Sequence, residues 1–381
     1  MKINIISFVI FTYIFSLLFV SCDSGTAPIN HEENTRIALL IDKMGDSITT
    51  KLITGSKNHS VPGAVIGVIS PETNFSYIKA FGKADIDKGT SLFRGDEIRI
   101  GTLTQTFIAT LVFRLIEEGK ILIDEPVNKY IQVPHSGSLI TIRHLLSMRS
   151  GLADFTDSVK YYHQTEPQKK WTNNELLNFA FNADPLISPG QQTKISQTNY
   201  LILGMIVEKV TGEKLDVLME NRIFNVLSLT DTKFNQNSSF HSSLFSRGYV
   251  YSDSAGYVDY TSNSDYSWAW STANMTSVAS DMTDWAAAFG SGRLLSSKSL
   301  ELMMKFEKYK TENGLDYYYG MGIMKIGSFI GYTGEIDGYY TSLYYLPGRK
   351  TIIYVFTNSQ NQNDNLIVSI ARLLYPGLKV N

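Results

Sequence analysis

Thr102 and Gln105 stand three residues apart where a helix is predicted to begin, placing a hydroxyl and an amide one turn from each other. A hydroxyl there could serve covalent catalysis. It would lie at the positive end of the helix dipole and attack once a neighbour took its proton. Gln105 cannot be that neighbour, because a carboxamide has no useful basicity near neutral pH. The Thr102 methyl group also crowds the oxygen and restricts χ1. The same residues at the same spacing have a structural use, the capping box. Thr102 would accept from the Gln105 N–H while the Gln105 side chain reached back. That reading fits the letters better and is the expectation adopted for this pair.

The surrounding pattern says which elements must position these residues. Apolar residues recur at helical spacing from Ile37 to Leu52, and two β runs at 64–70 and 75–81 flank a hairpin signal. A helix over 102–118 closes at Gly119, and 141–235 reads as mostly helical, with one helix capped by Gly212. Residues 276–289 read as a further helix. The pattern then returns to β at 339–346 and 351–356, and a helix follows at 365–374. Strands at both ends of a helical middle imply an α+β fold: an antiparallel sheet assembled from both termini and packed with helices, beside an all-helical lobe at about 120–265. Tyrosines cluster at 317–319, 339–340 and 344–345. They suggest either a stacking surface or aromatic alternation within strands, and the second is preferred.

The run Ile98-Arg99-Ile100-Gly101-Thr102-Leu103-Thr104-Gln105-Thr106-Phe107 resembles the active-site helix of the penicillin-recognising serine hydrolases. These are the class C β-lactamases, the D-Ala-D-Ala carboxypeptidases and related esterases and D-aminopeptidases. Ile123-Asp124-Glu125-Pro126-Val127, Ser150-Gly151-Leu152, Pro189-Gly190 with Thr198-Asn199-Tyr200, and Gly331-Tyr332-Thr333-Gly334 continue the resemblance in order. The resemblance implies a catalytic cleft between the two lobes. It also implies that Thr102 and Gln105 replace a Ser-x-x-Lys pair, and that Ile195, Ser196 and Gln197 replace Tyr-x-Asn. Tyr332 replaces the cation of a Lys-Thr-Gly or His-Thr-Gly motif. Thr333 and Gly334 would remain to hold a ligand, and the N–H groups of Thr102 and Glu335 would form the oxyanion hole. Ile195 ends any proton relay through its position. Gln197 either holds a ligand carbonyl or leaves Ser196 to cap a helix. Glu335 is the nearby carboxylate, and as the strand residue after the glycine it is expected to point away from Thr102. With Asp337 it would disfavour carboxylate-ended substrates.

Losing a general base costs about 10²–10⁴-fold in rate, and disabling a whole catalytic set, as in subtilisin, costs about 10⁶-fold. The expectation is therefore a pseudoenzyme that binds a peptide-like or small envelope ligand in the old cleft, with no cofactor. The alternatives are a hydrolase or acyltransferase of the carboxypeptidase, esterase or D-aminopeptidase type using Thr102, and an envelope scaffold.

The chain has 381 residues, with 34 basic against 36 acidic side chains. That balance gives nucleic acid no electrostatic hold. The six histidines are scattered; His135 and His144 read as surface or capping residues, and no metal site is expected. Lys2 precedes an apolar run over 3–20 that ends in Phe19-Val20-Ser21-Cys22, and Cys22 is the one cysteine of the chain. The pattern describes an export signal over 1–21, lipidation of Cys22 and a tether over 22–36 leading to a domain over 37–381. The other reading is an uncleaved membrane anchor. Both place the folded part outside the cytoplasm, held to the cell envelope.

Overall fold

The computed structural model describes residues 31–50, 60–134, 136–235, 240, 242–261, 264–312, 314–360 and 364–378. Cys22, the export segment and the first part of the tether lie outside the described residues. The chain opens with α1 (His31–Thr50), β1 (Gly63–Ser70), β2 (Phe75–Asp85), β3 (Thr90–Ser91), β4 (Ile98–Arg99) and α2 (Thr104–Glu117). Its helical middle comprises α3 (Ile142–Leu146), α4 (Thr156–Thr165), α5 (Asn173–Asn182), α6 (Thr198–Thr211), α7 (Leu215–Met219) and α8 (Asn225–Leu227). Next come β5 (Lys233–Phe234), β6 (Tyr249–Ser252), β7 (Gly256–Asp259), α9 (Trp270–Ala273), β8 (Met275–Ser277), α10 (Ala279–Ser291) and α11 (Ser297–Met303). The last part is β9 (Glu307–Glu312), β10 (Leu315–Tyr319), β11 (Met324–Ile326), β12 (Phe329–Ile336), β13 (Tyr339–Leu346), β14 (Thr351–Thr357) and α12 (Asp364–Leu374).

The two ends of the chain meet in one nine-stranded sheet of order β3-β2-β1-β14-β13-β12-β11-β10-β9. β1 pairs antiparallel with β14, Ala64 opposite Thr357. Every residue of β13 and β14 is buried, so helices must cover both faces of the sheet. Tyr344 and Tyr345, successive on β13, show the two faces. Tyr345 packs on Gly290 of α10. The Tyr344 hydroxyl meets Thr333 beside Asp364, where α12 begins.

Three local departures from the sequence reading have physical causes. α1 starts at His31, so residues 31–36 of the expected tether are helical, and the Asn34 amide donates to the Thr73 carbonyl at 3.3 Å. The expected helix over 276–289 begins only at Ala279. Ahead of it β8 completes a small sheet of order β4-β8-β5, with Thr276 opposite both Arg99 and Lys233. The helical middle also contains the β6–β7 hairpin, Val250 opposite Val258. Pairing with the distant β4 and β5 sets β8, and strands as short as β6, β7 and β8 carry no periodicity of their own.

One feature of the sheet shapes the site. β11 pairs with β12 only at Phe329, Ile330 and Gly331. From Tyr332 onward β12 offers that edge to other partners, and the turn preceding α2 occupies it.

Candidate active-site cleft

Thr102 sits in a 3-10 turn, Gly101–Leu103, that leads into α2. Two glycines let this turn abut β12. Gly101 has φ +56, and a Cβ there would fall 2.6 Å from the Glu335 carbonyl carbon; one on Gly334 would fall 2.3 Å from the Ile100 carbonyl oxygen. Packing fixes α2 behind them. Phe107 stacks on Trp285 with ring centroids 3.7 Å apart, and the Trp285 Nε1–H donates to Thr106 Oγ1 at 3.0 Å. Thr104 Oγ1 donates to the Gly101 carbonyl at 2.7 Å and accepts the Met275 N–H at 3.3 Å.

The expected capping box does not form. Leu103 holds the N-cap position of α2 and no side chain caps it. Thr102 lies a residue too early, and its hydroxyl turns to β12 instead. It accepts the Glu335 N–H at 3.1 Å and donates to the Thr333 carbonyl at 3.4 Å. The N–H expected in an oxyanion hole is thus engaged with Thr102 itself. Among the described residues no carboxylate, imidazole or amine bonds to that oxygen.

Gln105 is fully buried and points across the cleft. Its amide Nε2–H donates to Gln197 Oε1, and its Oε1 accepts the Tyr332 hydroxyl at 2.6 Å. Tyr332 in turn meets the Tyr319 hydroxyl at 3.1 Å. Burial raises the pKa of the Tyr332 phenol far above its ordinary value, keeping it protonated. The three positions that the resemblance sets against lysine, asparagine and cation therefore close on one another as a neutral chain of hydrogen bonds. Gln197 spends its carbonyl there and keeps its NH2 for the cleft. Ser196 is not a cap: its hydroxyl donates to the Ala153 carbonyl at 3.2 Å, and the residue before α6 is Gln197. Ile195 is partly exposed on the cleft wall.

The cleft has a volume of about 450 Å³ and brings Thr102, Ile195, Gln197, Tyr332, Thr333 and Glu335 together. Gly334 and Gln105 lie behind them. Thr333 does not present its hydroxyl as expected. That group bonds Asp364 at 3.0 Å and Tyr344 at 2.9 Å, and Asp364 also accepts Ser342 at 2.5 Å and Tyr317 at 2.9 Å. Glu335 lines the same cleft as Thr102, and its carboxylate accepts the Gln360 amide at 3.3 Å instead of reaching Thr102. Burial first, and then the Asp337 carboxylate, raise the Glu335 pKa above the usual carboxylate range.

The sequence reading did not single out several lining residues: Asp154, Lys160, Tyr309, Lys310, Gln360 and Asp364. They come from loops, the edge strand β9 and the helices α4 and α12, far apart in sequence, so only the fold gathers them. Tyr309, Tyr317, Tyr319, Tyr332 and Tyr340 form one wall, so strand alternation has built a surface as well as a core. His144 caps α3, its Nδ1 accepting the Thr141 N–H at 3.3 Å. Among the described residues no group of three or more His, Cys, Asp or Glu is arranged to hold a metal, and no helix is long and apolar enough to cross a membrane.

The Beta-lactamase family profile matches residues 42–374. With the two-lobed fold and the three motif positions gathered at one cleft, the chain belongs to this family of penicillin-recognising serine hydrolases. Penicillin-binding protein 4* of Bacillus subtilis (strain 168) is 24% identical over 337 residues, which cover 82% of this chain and 72% of that protein. A D-stereospecific amidohydrolase from Streptomyces sp. superposes with a TM-score of 0.73 at 26% identity, covering 81% of this chain and 93% of that one. The D-amino acid amidase of Ochrobactrum anthropi SV3, complexed with D-phenylalanine, gives 0.77 at 23% identity over 91% and 99%, a likeness of fold alone.

Proposed function

We propose that this chain is an exported, lipid-anchored member of the family that no longer hydrolyses substrates and uses its cleft to bind a small or peptide-like ligand at the cell envelope. The carrying observation is the Thr102 hydroxyl, held between the Glu335 N–H and the Thr333 carbonyl with no base on it. A nucleophile needs a partner that accepts its proton, and a peptide carbonyl cannot serve. Gln105, standing where the base would be, is committed to Gln197 and Tyr332. The missing base alone accounts for about 10²–10⁴-fold in rate. The cleft nevertheless stays open at about 450 Å³, which supports a binder over a scaffold. Export and lipidation rest on the apolar run and on Cys22.

Turnover of penicillins, short esters and D-amino-acid amides is the test. Rates should match background and stay unchanged in Thr102→Ala; an activity abolished by that substitution would overturn the reading. Metabolic labelling with a fatty-acid probe should mark the protein and the mark should vanish in Cys22→Ser, whereas an unlabelled protein that keeps residues 1–21 in the membrane fraction would favour an uncleaved anchor.

A further inference from the structure

The charges lining the cleft are unequal. Four carboxylates, Asp154, Glu335, Asp337 and Asp364, face two lysines, Lys160 and Lys310, with no arginine or histidine among the described residues of the lining. Both lysines have carboxylate partners outside the lining: Lys310 bonds Glu312 at 2.6 Å, and Lys160 lies 3.6 Å from Asp157. Two carboxylates come from the end of β12 and the turn after it, and Asp154 comes from the loop before α4 on the helical side. The groups that would welcome an anion are already used. Tyr332, at the former cation position, gives its proton to Gln105, and the Thr333 hydroxyl is shared by Asp364 and Tyr344.

The aromatic wall adds an independent observation. It already carries an ammonium: Lys310 Nζ lies 4.5 Å from the Tyr317 ring centroid and 5.8 Å from that of Tyr309. Ring faces at such distances attract cations, and more strongly when the ion is dehydrated.

We propose that the cleft selects a compact organic ammonium ion, seated between the tyrosine wall and the carboxylates of Asp154, Glu335 and Asp337, and rejects carboxylate-ended ligands. This rests on the binding reading above and names its ligand class. The Gln197 NH2 is the donor left for a carbonyl or hydroxyl on the same ligand. Burial comes first in raising the proton affinities of Glu335 and Asp154, and the neighbouring Asp337 and Asp157 carboxylates add to it, which is the sign of a negative field.

Three probes of matched shape separate the possibilities: 2-phenylethylammonium, 3-phenylpropionamide and 3-phenylpropionate, titrated calorimetrically into the full protein near pH 7. The ammonium should bind at least about tenfold more tightly than the other two, and added salt should weaken it. Glu335→Gln combined with Asp337→Asn, both near the rim, should bring its affinity down to that of the amide. Equal or tighter binding of the carboxylate overturns the proposal. So does a cation affinity untouched by the double change, or no binding of any probe. Non-covalent binding of the amide or carboxylate in the cleft would leave the parent reading intact, whereas acylation of Thr102 by a penicillin or ester would remove that reading instead.

Discussion

The inner and outer halves of the cleft have different chemical characters. Inside, Gln105, Gln197, Tyr332 and Tyr319 form a neutral chain in which each partner satisfies the next. Outside, Asp154, Lys160, Glu335 and Asp337 line an open cleft whose walls partly desolvate the Asp154 and Glu335 carboxylates. The inner half holds the positions that the resemblance sets against the family's machinery, and their side chains here bond to one another. A buried base would need a charge partner in low dielectric, whereas amides and phenols satisfy one another without charge. The outer half keeps its polar groups in a cleft that is open among the described residues. The inner half should therefore respond to substitution through stability, and the outer half through ligand preference.

Gln105→Leu should produce the largest loss. It leaves the Tyr332 hydroxyl and the Gln197 carbonyl without their partner, at roughly 1–3 kcal/mol for each unsatisfied group. Urea denaturation would register this as a lower midpoint at unchanged slope. Tyr332→Phe should cost less, about 1–2 kcal/mol, because it removes one hydroxyl from a chain that can partly re-pair. Thr102→Ala should cost about 1 kcal/mol, the worth of bonds to a strand edge that is half open to water. If these three left stability unchanged, the inner half would not be a cohesive unit.

The smallest expected stability effect is that of Glu335→Gln, within about 0.5 kcal/mol, and it sharpens the contrast through pH. The folded protein holds the Glu335 proton more tightly than the unfolded chain does. The stabilisation from that protonated carboxyl is complete below the ordinary glutamate value of 4.5 and is lost as pH rises through the raised folded value. Above that window Glu335→Gln should be slightly more stable than the parent, and the difference should vanish in acid. Asp337, Lys160, Lys310 and Glu312 act on the same carboxyl and set how wide the window is. Affinity for an ammonium probe should rise across the same interval.

Much of the fold was legible because its signals are local or lie in order along the chain. The 64–70 and 75–81 runs became β1 and β2, Gly212 closes α6 with φ 73, and 339–346 is β13. The strands β9, β10 and β11, at one end of the sheet, escaped notice, since charged and aromatic residues mix there over few positions. The Thr102–Gln105 pair misled for a specific reason. Its spacing suits a capping box, but the 3-10 turn places Thr102 ahead of the helix, where the approach allowed by Gly101 and Gly334 gives it a strand to bond. Side chains 92 and 227 residues away in sequence complete the Gln105 network, and no local pattern announces partners that distant. The charged lining of the cleft was partly visible in Glu335 and Asp337, while Asp154 and Lys160 joined them only through folding.

Intact-mass measurement after prolonged exposure to a penicillin and to an activated D-amino-acid ester would test the central claim most directly. The protein should return at its unmodified mass, because nothing draws the proton from the Thr102 oxygen. A stable mass increase located by peptide mapping on Thr102 would mean that a proton acceptor does act there, and that the hydroxyl is a working nucleophile after all.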